Sequence, residues 1–369
     1  MDSTTKHTYS YKAGFTCYGL AWHTLQFRVA VASFGETGRN KLQIVDRDRR
    51  RDALVCTADA DVPYPLTRVL WAPASAAAPS LLGSSSDHLR LHDLVERDPA
   101  SAASNSLGQS NNNNNTLPMD LVVRATLRPA AQRRLAQNSQ KAVSPPLSSF
   151  DWNEVDPSLC VTSCIDTTCT VWDVNRLEQK TQLIAHDKAV YDVAFSQNGP
   201  NNFASVGADG SVRLFDLRAL EHSTILYDTP PQLTPATIPG ATQTMENPPL
   251  LRLSWNKLDT NLIATFQLDS KKVVVLDIRE PSIPVAELYT HTNAVNAIGW
   301  APQSKSHLCS VGDDGLALVW DTSNAINKKV TVPSLTYRAN DTINNLAWTP
   351  GIPEWVGIAV GDGIQALKV

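Results

Sequence analysis

One unit of a repeat occupies residues 181–216, TQLIAHDKAVYDVAFSQNGPNNFASVGADGSVRLFD. The unit contains four short apolar runs separated by turn residues, and Asp209 with Gly210 joins the last two runs. Asp-Gly between apolar runs is typical of a tight β-hairpin turn, because both residues tolerate positive φ. The pattern therefore predicts short antiparallel strands.

Aromatic residues mark where this unit recurs along the 369-residue chain. Seven short apolar runs end in an aromatic residue, and the steps between neighbours are 49, 81, 43, 60, 45 and 48 residues. A period in this range is typical of repeat architectures, and the two long steps indicate insertions. The seven positions are Trp22, Trp71, Trp152, Phe195, Trp255, Trp300 and Trp348.

Other side chains keep fixed offsets from three of these aromatic residues. A hydroxyl residue follows after 10 positions, Asp after 14, an aromatic residue after 20 and Asp after 21, and two units also carry His 9 positions upstream. Such agreement supports a true repeat. The residues are Thr162, Asp166, Trp172 and Asp173; His186, Ser205, Asp209, Phe215 and Asp216; and His291, Ser310, Asp314, Trp320 and Asp321.

The repeat predicts an all-β fold, a seven-bladed β-propeller formed as a single domain by residues 1–369. A fourth strand precedes each triplet, as in TQLIA before His186 and VAELY before His291. The last run, GIQALKV at residues 363–369, leaves the seventh blade one strand short. We expect HTYSYKA at residues 7–13 to supply that strand and close the ring, because closure removes an exposed sheet edge.

Three segments fall outside the repeat. We predict a disordered Asn- and Ser-rich insertion at 94–121, a loop at 129–146 and a Pro-rich loop at 229–249, whose prolines oppose regular strand pairing. Within these segments, three hydroxyl residues before Pro are minimal sites for proline-directed kinases, although chance in Pro-rich loops explains them as well. They are Ser144, Thr229 and Thr234.

The chain lacks the common sequence motifs of catalytic and nucleotide-binding sites. It contains no G-x-S-x-G, G-x-x-x-x-G-K-[ST], G-x-G-x-x-G or H-E-x-x-H, so we expect no enzyme activity, no cofactor and no metal site. Cys160, Cys164 and Cys169 lack C-x-x-C spacing and are expected to be buried in the core. A propeller hydrolase is the remote alternative.

The net charge and the hydropathy of the chain limit the classes of partner that we expect. The chain has 32 Lys and Arg against 36 Asp and Glu, a net charge of −4, and the basic run at residues 47–52 is interrupted by Asp. We therefore expect no direct binding to nucleic acid. The chain contains no run of about 18 apolar residues and no signal-peptide pattern at its start, so we expect no membrane partner and place it in the cytoplasm and nucleus.

The repeated set resembles the WD-repeat family, in which His, Ser or Thr, Asp and Trp form a hydrogen-bonded tetrad within a blade. The VWD motifs that end at Asp173 and Asp321 carry this resemblance. It implies one complete tetrad and a second in which Phe replaces Trp. The implied residues are His291, Ser310, Asp314 and Trp320, and His186, Ser205, Asp209 and Phe215.

Residues 150–173, 180–196 and 203–228 resemble one WD-repeat subfamily more closely. It contains the plant regulator Transparent Testa Glabra and an animal kinase-binding adaptor. The resemblance implies a non-catalytic scaffold, a monomeric propeller within larger complexes, whose partners are transcription factors, protein kinases and the adaptor of cullin-4 ligases. The alternative function is that of a substrate receptor of a cullin-4 RING ubiquitin ligase.

Two Asp-x-Arg motifs follow third strands and match the motif of such receptors. They are Asp216 with Arg218 and Asp277 with Arg279. The planar guanidinium suits this role because it pairs with carboxylates through two hydrogen bonds. A competing interpretation is that each Arg caps the strand end or pairs within its own propeller.

Overall fold

The computed structural model describes residues 8–35, 38–78, 80–97, 117–129, 144–233, 244–323 and 328–369. The described residues form 31 β-strands and no helix, and seven sheets of four or five strands are the blades of a propeller. The predicted all-β, seven-bladed fold is therefore confirmed. No helix capable of spanning a membrane occurs in these ranges.

The first strand completes the last sheet, and the next twelve strands form blades 1 to 3 in chain order. Strand β1 is Thr8–Lys12. Blade 1 contains β2 (Cys17–Trp22), β3 (Arg28–Ser33), β4 (Asn40–Asp48) and β5 (Ala53–Val62); blade 2 contains β6 (Arg68–Trp71), β7 (Leu82–Ser85), β8 (Leu89–Glu96) and β9 (Met119–Leu127); blade 3 contains β10 (Leu147–Trp152), β11 (Leu159–Cys164), β12 (Thr168–Asp173) and β13 (Glu178–Ile184).

Blades 4 to 7 continue the same antiparallel order, with a small two-stranded sheet between blades 4 and 5. Blade 4 contains β14 (Val190–Phe195), β15 (Asn202–Gly207), β16 (Ser211–Asp216) and β17 (Thr224–Asp228), and the small sheet contains β18 (Gln232–Leu233) and β19 (Met245–Glu246); blade 5 contains β20 (Leu250–Trp255), β21 (Leu262–Gln267), β22 (Lys272–Asp277) and β23 (Pro284–Tyr289); blade 6 contains β24 (Val295–Trp300), β25 (His307–Gly312), β26 (Leu316–Asp321) and β28 (Leu335–Arg338); blade 7 contains β29 (Ile343–Trp348), β30 (Trp355–Val360) and β31 (Gly363–Lys368). A further strand, β27 (Lys328–Val330), runs parallel to β23 on the outer edge of blade 5.

Apolar packing between neighbouring blades holds the ring together. One core cluster joins Val161 and Val171 of blade 3 to Val193 and Phe203 of blade 4, and the other blade interfaces are built in the same way. Strands β11 and β15 are buried along almost their whole length, because both faces of each sheet are covered. Near-continuous apolar runs rather than strict alternation are the expected sequence of such strands.

Strand β1 closes the ring as the sequence predicts. It pairs antiparallel with β31, with Tyr9 opposite Ala366, and becomes the fourth strand of blade 7. Tyr9 is 2% exposed, and its ring lies 5.4 Å from that of Trp355 and 5.8 Å from that of Phe27. Residues from opposite ends of the described chain therefore share one core cluster.

The structure corrects the prediction of which blade contains the fourth strand of each sequence unit. TQLI, the run before His186, lies in β13 and pairs with β12, and VAELY before His291 lies in β23 and pairs with β22. Each such strand belongs to the sheet of the preceding blade, because it continues the antiparallel meander instead of pairing across the blade interface. A sequence unit therefore spans two blades.

Two of the three predicted insertions differ from the prediction within the described residues. Strand β8 runs to Glu96 and β9 begins at Met119, so the described edges of the 94–121 insertion are paired strand. Residues 98–116, 130–143 and 234–243, including Thr234, lie outside the described residues. Within the 229–249 loop, Gln232 pairs with Glu246, so its prolines do not prevent all strand pairing.

Candidate functional site

Antiparallel strands place the turns of each blade alternately on two faces of the ring. We call the face that carries the turns between second and third strands the upper face, and Asp209 with Gly210 forms that turn in blade 4. Gly210 has φ +78°, a conformation that favours glycine, as the Asp-Gly pattern predicts. The opposite, lower face carries the residues that follow each third strand, including Arg218 and Arg279.

On the lower face, Asp216 and Asp277 each hold the arginine two residues further on. Arg218 donates from Nε to Asp216 Oδ1 at 3.0 Å and from Nη2 to Oδ2 at 2.6 Å. Arg279 and Asp277 repeat this geometry at 2.9 and 2.6 Å. In each pair the backbone N–H of Arg also donates to the same Asp, which orients the turn.

Both arginines remain exposed in spite of these bonds. The side chain of Arg218 is 70% exposed and that of Arg279 is 66% exposed. The hydrogen bonds from Arg218 lower the pKa of Asp216 to about 2, and those from Arg279 likewise lower the pKa of Asp277. Each Asp therefore stays ionised and fixes one edge of its guanidinium, while Nη1 makes no hydrogen bond to a described residue.

Neighbouring blades lack this arrangement. In blades 3 and 6 the corresponding Asp173 and Asp321 accept from the backbone N–H groups of Asn175 and Ser323, which stand where the Arg would be. Among the described residues of blades 3 to 6, this orientation of an arginine side chain occurs only in the adjacent blades 4 and 5. The Asp-x-Arg motif identified Arg218 and Arg279 from the sequence. It could not show that each Arg pairs with its own Asp and is nevertheless exposed.

The structure brings together the four residues implied for blade 6. His291 Nδ1 lies 3.0 Å from Asp314 Oδ2, and its Nε2 lies 2.8 Å from Ser310 Oγ. Trp320 donates from Nε1 to the same Ser310 oxygen at 2.9 Å. An ionised carboxylate only accepts hydrogen bonds and an indole N–H only donates them. The Trp N–H therefore donates to the Ser hydroxyl, the hydroxyl donates to the imidazole, and the imidazole N–H donates to the carboxylate.

Blade 4 holds the same arrangement without the indole. His186 lies 2.9 Å from Asp209 Oδ1 and 2.7 Å from Ser205 Oγ. Phe215 takes the place of Trp and stacks on Phe203 with a centroid distance of 4.8 Å. Burial opposes ionisation of Asp209, but hydrogen bonds from His186 and Ser211 outweigh it and lower its pKa. Burial, opposed by Asp314, lowers the pKa of His291.

Blade 2 contains a related bond that sequence reasoning missed. His92 lies within β8 opposite Leu82, the position that Trp occupies in blades 3 and 6, and its Nε2 lies 2.8 Å from Ser84 Oγ. Burial lowers the pKa of His92 to about 4, so the ring is neutral near pH 7. His92 followed by Asp93 mirrors the Trp-Asp ending, but a longer turn between β6 and β7 shifts its offset from Trp71.

The first strands of all seven blades line a central cavity of about 270 Å³. Arg68 of blade 2 donates to Asp192 of blade 4 at 2.7 Å, and Arg252 of blade 5 donates to the Tyr18 hydroxyl of blade 1 at 2.6 Å. Burial raises the pKa of Asp151 to about 6. Arg68 and Arg252 thus connect non-adjacent blades across the ring axis.

Two other sequence expectations can be compared with the described residues. Cys160, Cys164 and Cys169 are buried, as predicted, and no group of three or more His, Cys, Asp or Glu in the described ranges is placed to hold a metal ion. Thr229, a suggested kinase site, is 1% exposed and donates to the Pro248 carbonyl at 2.9 Å. A kinase would therefore have to unfold this turn to reach it.

The ring of seven sheets and the repeated His, Ser, Asp and Trp sets define a WD-repeat β-propeller. Residues 177–216 and 282–321 match the WD domain, G-beta repeat family. The chain is 42% identical over 368 residues, 99% of each chain, to a DDB1- and CUL4-associated factor 7 homolog of Dictyostelium discoideum. It is also 33% identical to a WD repeat-containing protein of Saccharomyces cerevisiae, over 100% of this chain and 78% of that protein. The chain therefore belongs to the WD-repeat family that includes these two proteins.

Proposed function

We propose that the chain is a non-catalytic scaffold that assembles regulatory protein complexes. The observation that carries this proposal is the pair of oriented, exposed arginines on the lower face of adjacent blades. A rigid ring presents such groups without reorganisation, so little binding energy is lost in ordering them. The name of the Dictyostelium relative, a DDB1- and CUL4-associated factor, supports the same class of function.

A receptor role in a cullin-4 ligase is the more specific form of this proposal. Arg218 and Arg279 each keep one guanidinium edge bonded to their own Asp, which leaves the other edge for an acceptor on the ligase adaptor. The competing interpretation of the motif was that each Arg pairs within its own propeller. In this proposal that pairing orients the Arg side chain for binding. Preorganised arginines at the centre of an interface contribute strongly to affinity.

The test is capture of purified DDB1 by the immobilised chain. The Arg218→Ala/Arg279→Ala double variant should bind on the order of 100-fold more weakly, because two charge-assisted contacts are lost. The matched control is Arg176→Ala in blade 3, whose side chain is 75% exposed and lies 3.9 Å from Asp173. Equal binding by the wild type and the double variant would contradict the receptor role.

The scaffold proposal extends to transcription factors and protein kinases as further partners, on the strength of the sequence resemblance to Transparent Testa Glabra and its animal counterpart. We also propose location in both cytoplasm and nucleus. Affinity purification from cells, with mass spectrometry and a fluorescent fusion for location, tests both statements. Recovery of neither class of partner, or strict confinement to another compartment, would contradict them.

A further inference from the structure

The seven first strands line the central cavity at successive levels, set by the distance from the aromatic residue that ends each strand. The upper level, three positions before that residue, includes Arg68, Asp192 and Arg252. At the middle level, one position before it, the lining residues of four blades are Ala or Gly. They are Ala21, Ala194, Gly299 and Ala347. The two positions share one side of each strand, and the small middle residues leave the open volume of about 270 Å³.

The upper level contains one ion pair and one further arginine. Asp192 accepts from Arg68 at 2.7 Å and from two backbone N–H groups at 3.0 and 2.9 Å, so both of its oxygens are occupied. Arg252 instead donates from Nη2 to the Tyr18 hydroxyl at 2.6 Å. It makes no hydrogen bond to a carboxylate among the described residues. The cavity therefore contains a positive charge without a directly bonded counter-charge.

Arg252 also keeps unused hydrogen-bond donors. Its Nε and Nη1 bond to no described residue, and neither atom is among the described polar atoms that are buried without a partner. Since Arg252 lines the cavity, these N–H groups are accessible from it. Burial opposes the charge of Arg252, but Tyr18 and Asp192 outweigh this effect and raise its pKa. The guanidinium is therefore charged, held in place by Tyr18 and open to an acceptor.

We propose that the central cavity binds a small monocarboxylate with an apolar body, whose carboxylate pairs with Arg252. A planar guanidinium matches a carboxylate through two parallel hydrogen bonds. The Ala and Gly residues of the middle level would enclose the apolar body. One water occupies about 30 Å³ in the liquid, so a cavity of about 270 Å³ accommodates about nine non-hydrogen atoms. Asp151 and Asp192 line the same cavity and disfavour a second negative charge on the ligand.

The cavity has its mouth on the lower face. The lining residues there follow the aromatic residues by two positions, in the turns between first and second strands. Lys257 of blade 5 and Glu154 of blade 3 form an ion pair at this level. Their side chains are 36% and 40% exposed, so the pair contributes little to stability and can open to admit a ligand. Either a free small molecule or the C-terminus of a peptide supplies a carboxylate of the required kind.

The test is titration of the full-length chain at pH 7.5, followed by tryptophan fluorescence, because six Trp residues line the cavity. The probes are 4-methylpentanoate and the peptide acetyl-Gly-Gly-Leu with a free C-terminal carboxylate, used separately. We expect a saturable change with a dissociation constant of about 0.1–1 mM. The matched amides, 4-methylpentanamide and the peptide amide, should bind at least about tenfold more weakly, because a neutral amide forms no ion pair with Arg252.

Three variants test the role of Arg252. Arg252→Met keeps much of the side-chain volume without the charge and should weaken binding by at least about tenfold. Arg252→Lys keeps the charge but loses the planar fork, so its affinity should lie between those of Arg252→Met and the wild type. Tyr18→Phe is the matched control, because it removes the bond between blades 1 and 5 but keeps the guanidinium. Its affinity should remain close to that of the wild type.

Binding of 4-methylpentanoate alone would indicate a free small molecule as the ligand, and binding of the peptide would indicate a protein C-terminus; either supports the proposal. No saturable change with either probe would overturn it, as would equal binding of the acids and their amides. Tighter binding of inorganic phosphate than of 4-methylpentanoate would contradict the selection of a monocarboxylate.

Equal affinity of the wild type and Arg252→Met, or an equal loss in Tyr18→Phe and Arg252→Met, would show that the guanidinium is not the binding group. If Arg252→Met does not fold, the comparison of acids with amides in the wild type still decides the matter. The result does not depend on the ligase role, since Arg218 and Arg279 do not line the cavity.

Discussion

Ring closure by β1 depends on one buried aromatic residue, Tyr9. Its ring packs against Phe27 and Trp355, the Arg47 guanidinium lies 4.7 Å from its centroid, and its hydroxyl donates to Asp52 at 2.7 Å. A buried aromatic side chain removes roughly 150–250 Å² from water, which at about 25 cal/mol per Å² is about 4–6 kcal/mol as an upper bound. Measured aromatic-to-alanine changes in cores are about 3–5 kcal/mol.

We therefore expect Tyr9→Ala to lower the free energy of unfolding by about 3–5 kcal/mol. An entropy of unfolding of about 2.1 cal/mol/K per residue converts 4 kcal/mol into a fall in melting temperature of about 5 °C for a chain of this length. Tyr9→Phe keeps the ring and loses only hydrogen bonds, so its loss should be about 1 kcal/mol. Urea denaturation followed by tryptophan fluorescence measures all three proteins.

The matched control on the same strand is Lys12→Ala. Lys12 pairs with Asp362 at 3.0 Å, but the two side chains are 78% and 55% exposed, so the change should cost less than about 0.5 kcal/mol. The reasoning is refuted if Tyr9→Ala is no more harmful than Lys12→Ala, because β1 would then contribute little to closure. Such an outcome would mean that blade 7 is stable with three strands.

The hydrogen-bonded sets and the buried titratable groups lead to two further predictions. Ser310→Ala leaves two buried donors or acceptors unpaired and Ser205→Ala leaves one, so the free energy of unfolding should fall by about 1–3 kcal/mol more for Ser310→Ala; equal losses in urea denaturation would contradict the role of the indole bond. Burial holds the pKa of His23 and of His92 at about 4, below an unfolded value of about 6.5, so their stabilising contribution is complete above pH 6.5 and is lost as pH falls toward 4. Burial raises the pKa of Asp151 to about 6, so protonation of Asp151 stabilises the fold as the pH falls from 6 to 4. Over this range the free energy of unfolding of Asp151→Asn should therefore fall more steeply than that of the wild type, by about 1.4 kcal/mol per pH unit. Parallel plots of unfolding free energy against pH would contradict the raised pKa.

Local patterns in the sequence predicted most of the fold. Asp209 with Gly210 marked a hairpin because the turn needs a positive φ, and the structure has that conformation. The recurring aromatic residues gave the number of blades, since each ends a first strand that packs at the blade interface. His92 escaped notice because its offset from Trp71 is shifted by a longer turn, although it bonds to Ser84 as a tetrad Trp would.

The candidate sites were predicted less completely. The motif located Arg218 and Arg279, but their exposure and their bonds to Asp216 and Asp277 depend on how each strand end turns. The 94–121 insertion was predicted too long because Asn- and Ser-rich composition does not show how far β8 and β9 extend.

The sequence by itself determined the repeat, the seven-bladed ring and the repeated His, Ser and Asp positions of blades 4 and 6, because hairpin turns, strand runs and fixed offsets act over a few tens of residues. Only the tertiary structure decided which groups meet across the ring. Arg68 and Asp192 lie 124 positions apart, and β1 meets β31 from the far end of the chain. No local pattern encodes such contacts, since they arise only when all blades have closed around a common axis.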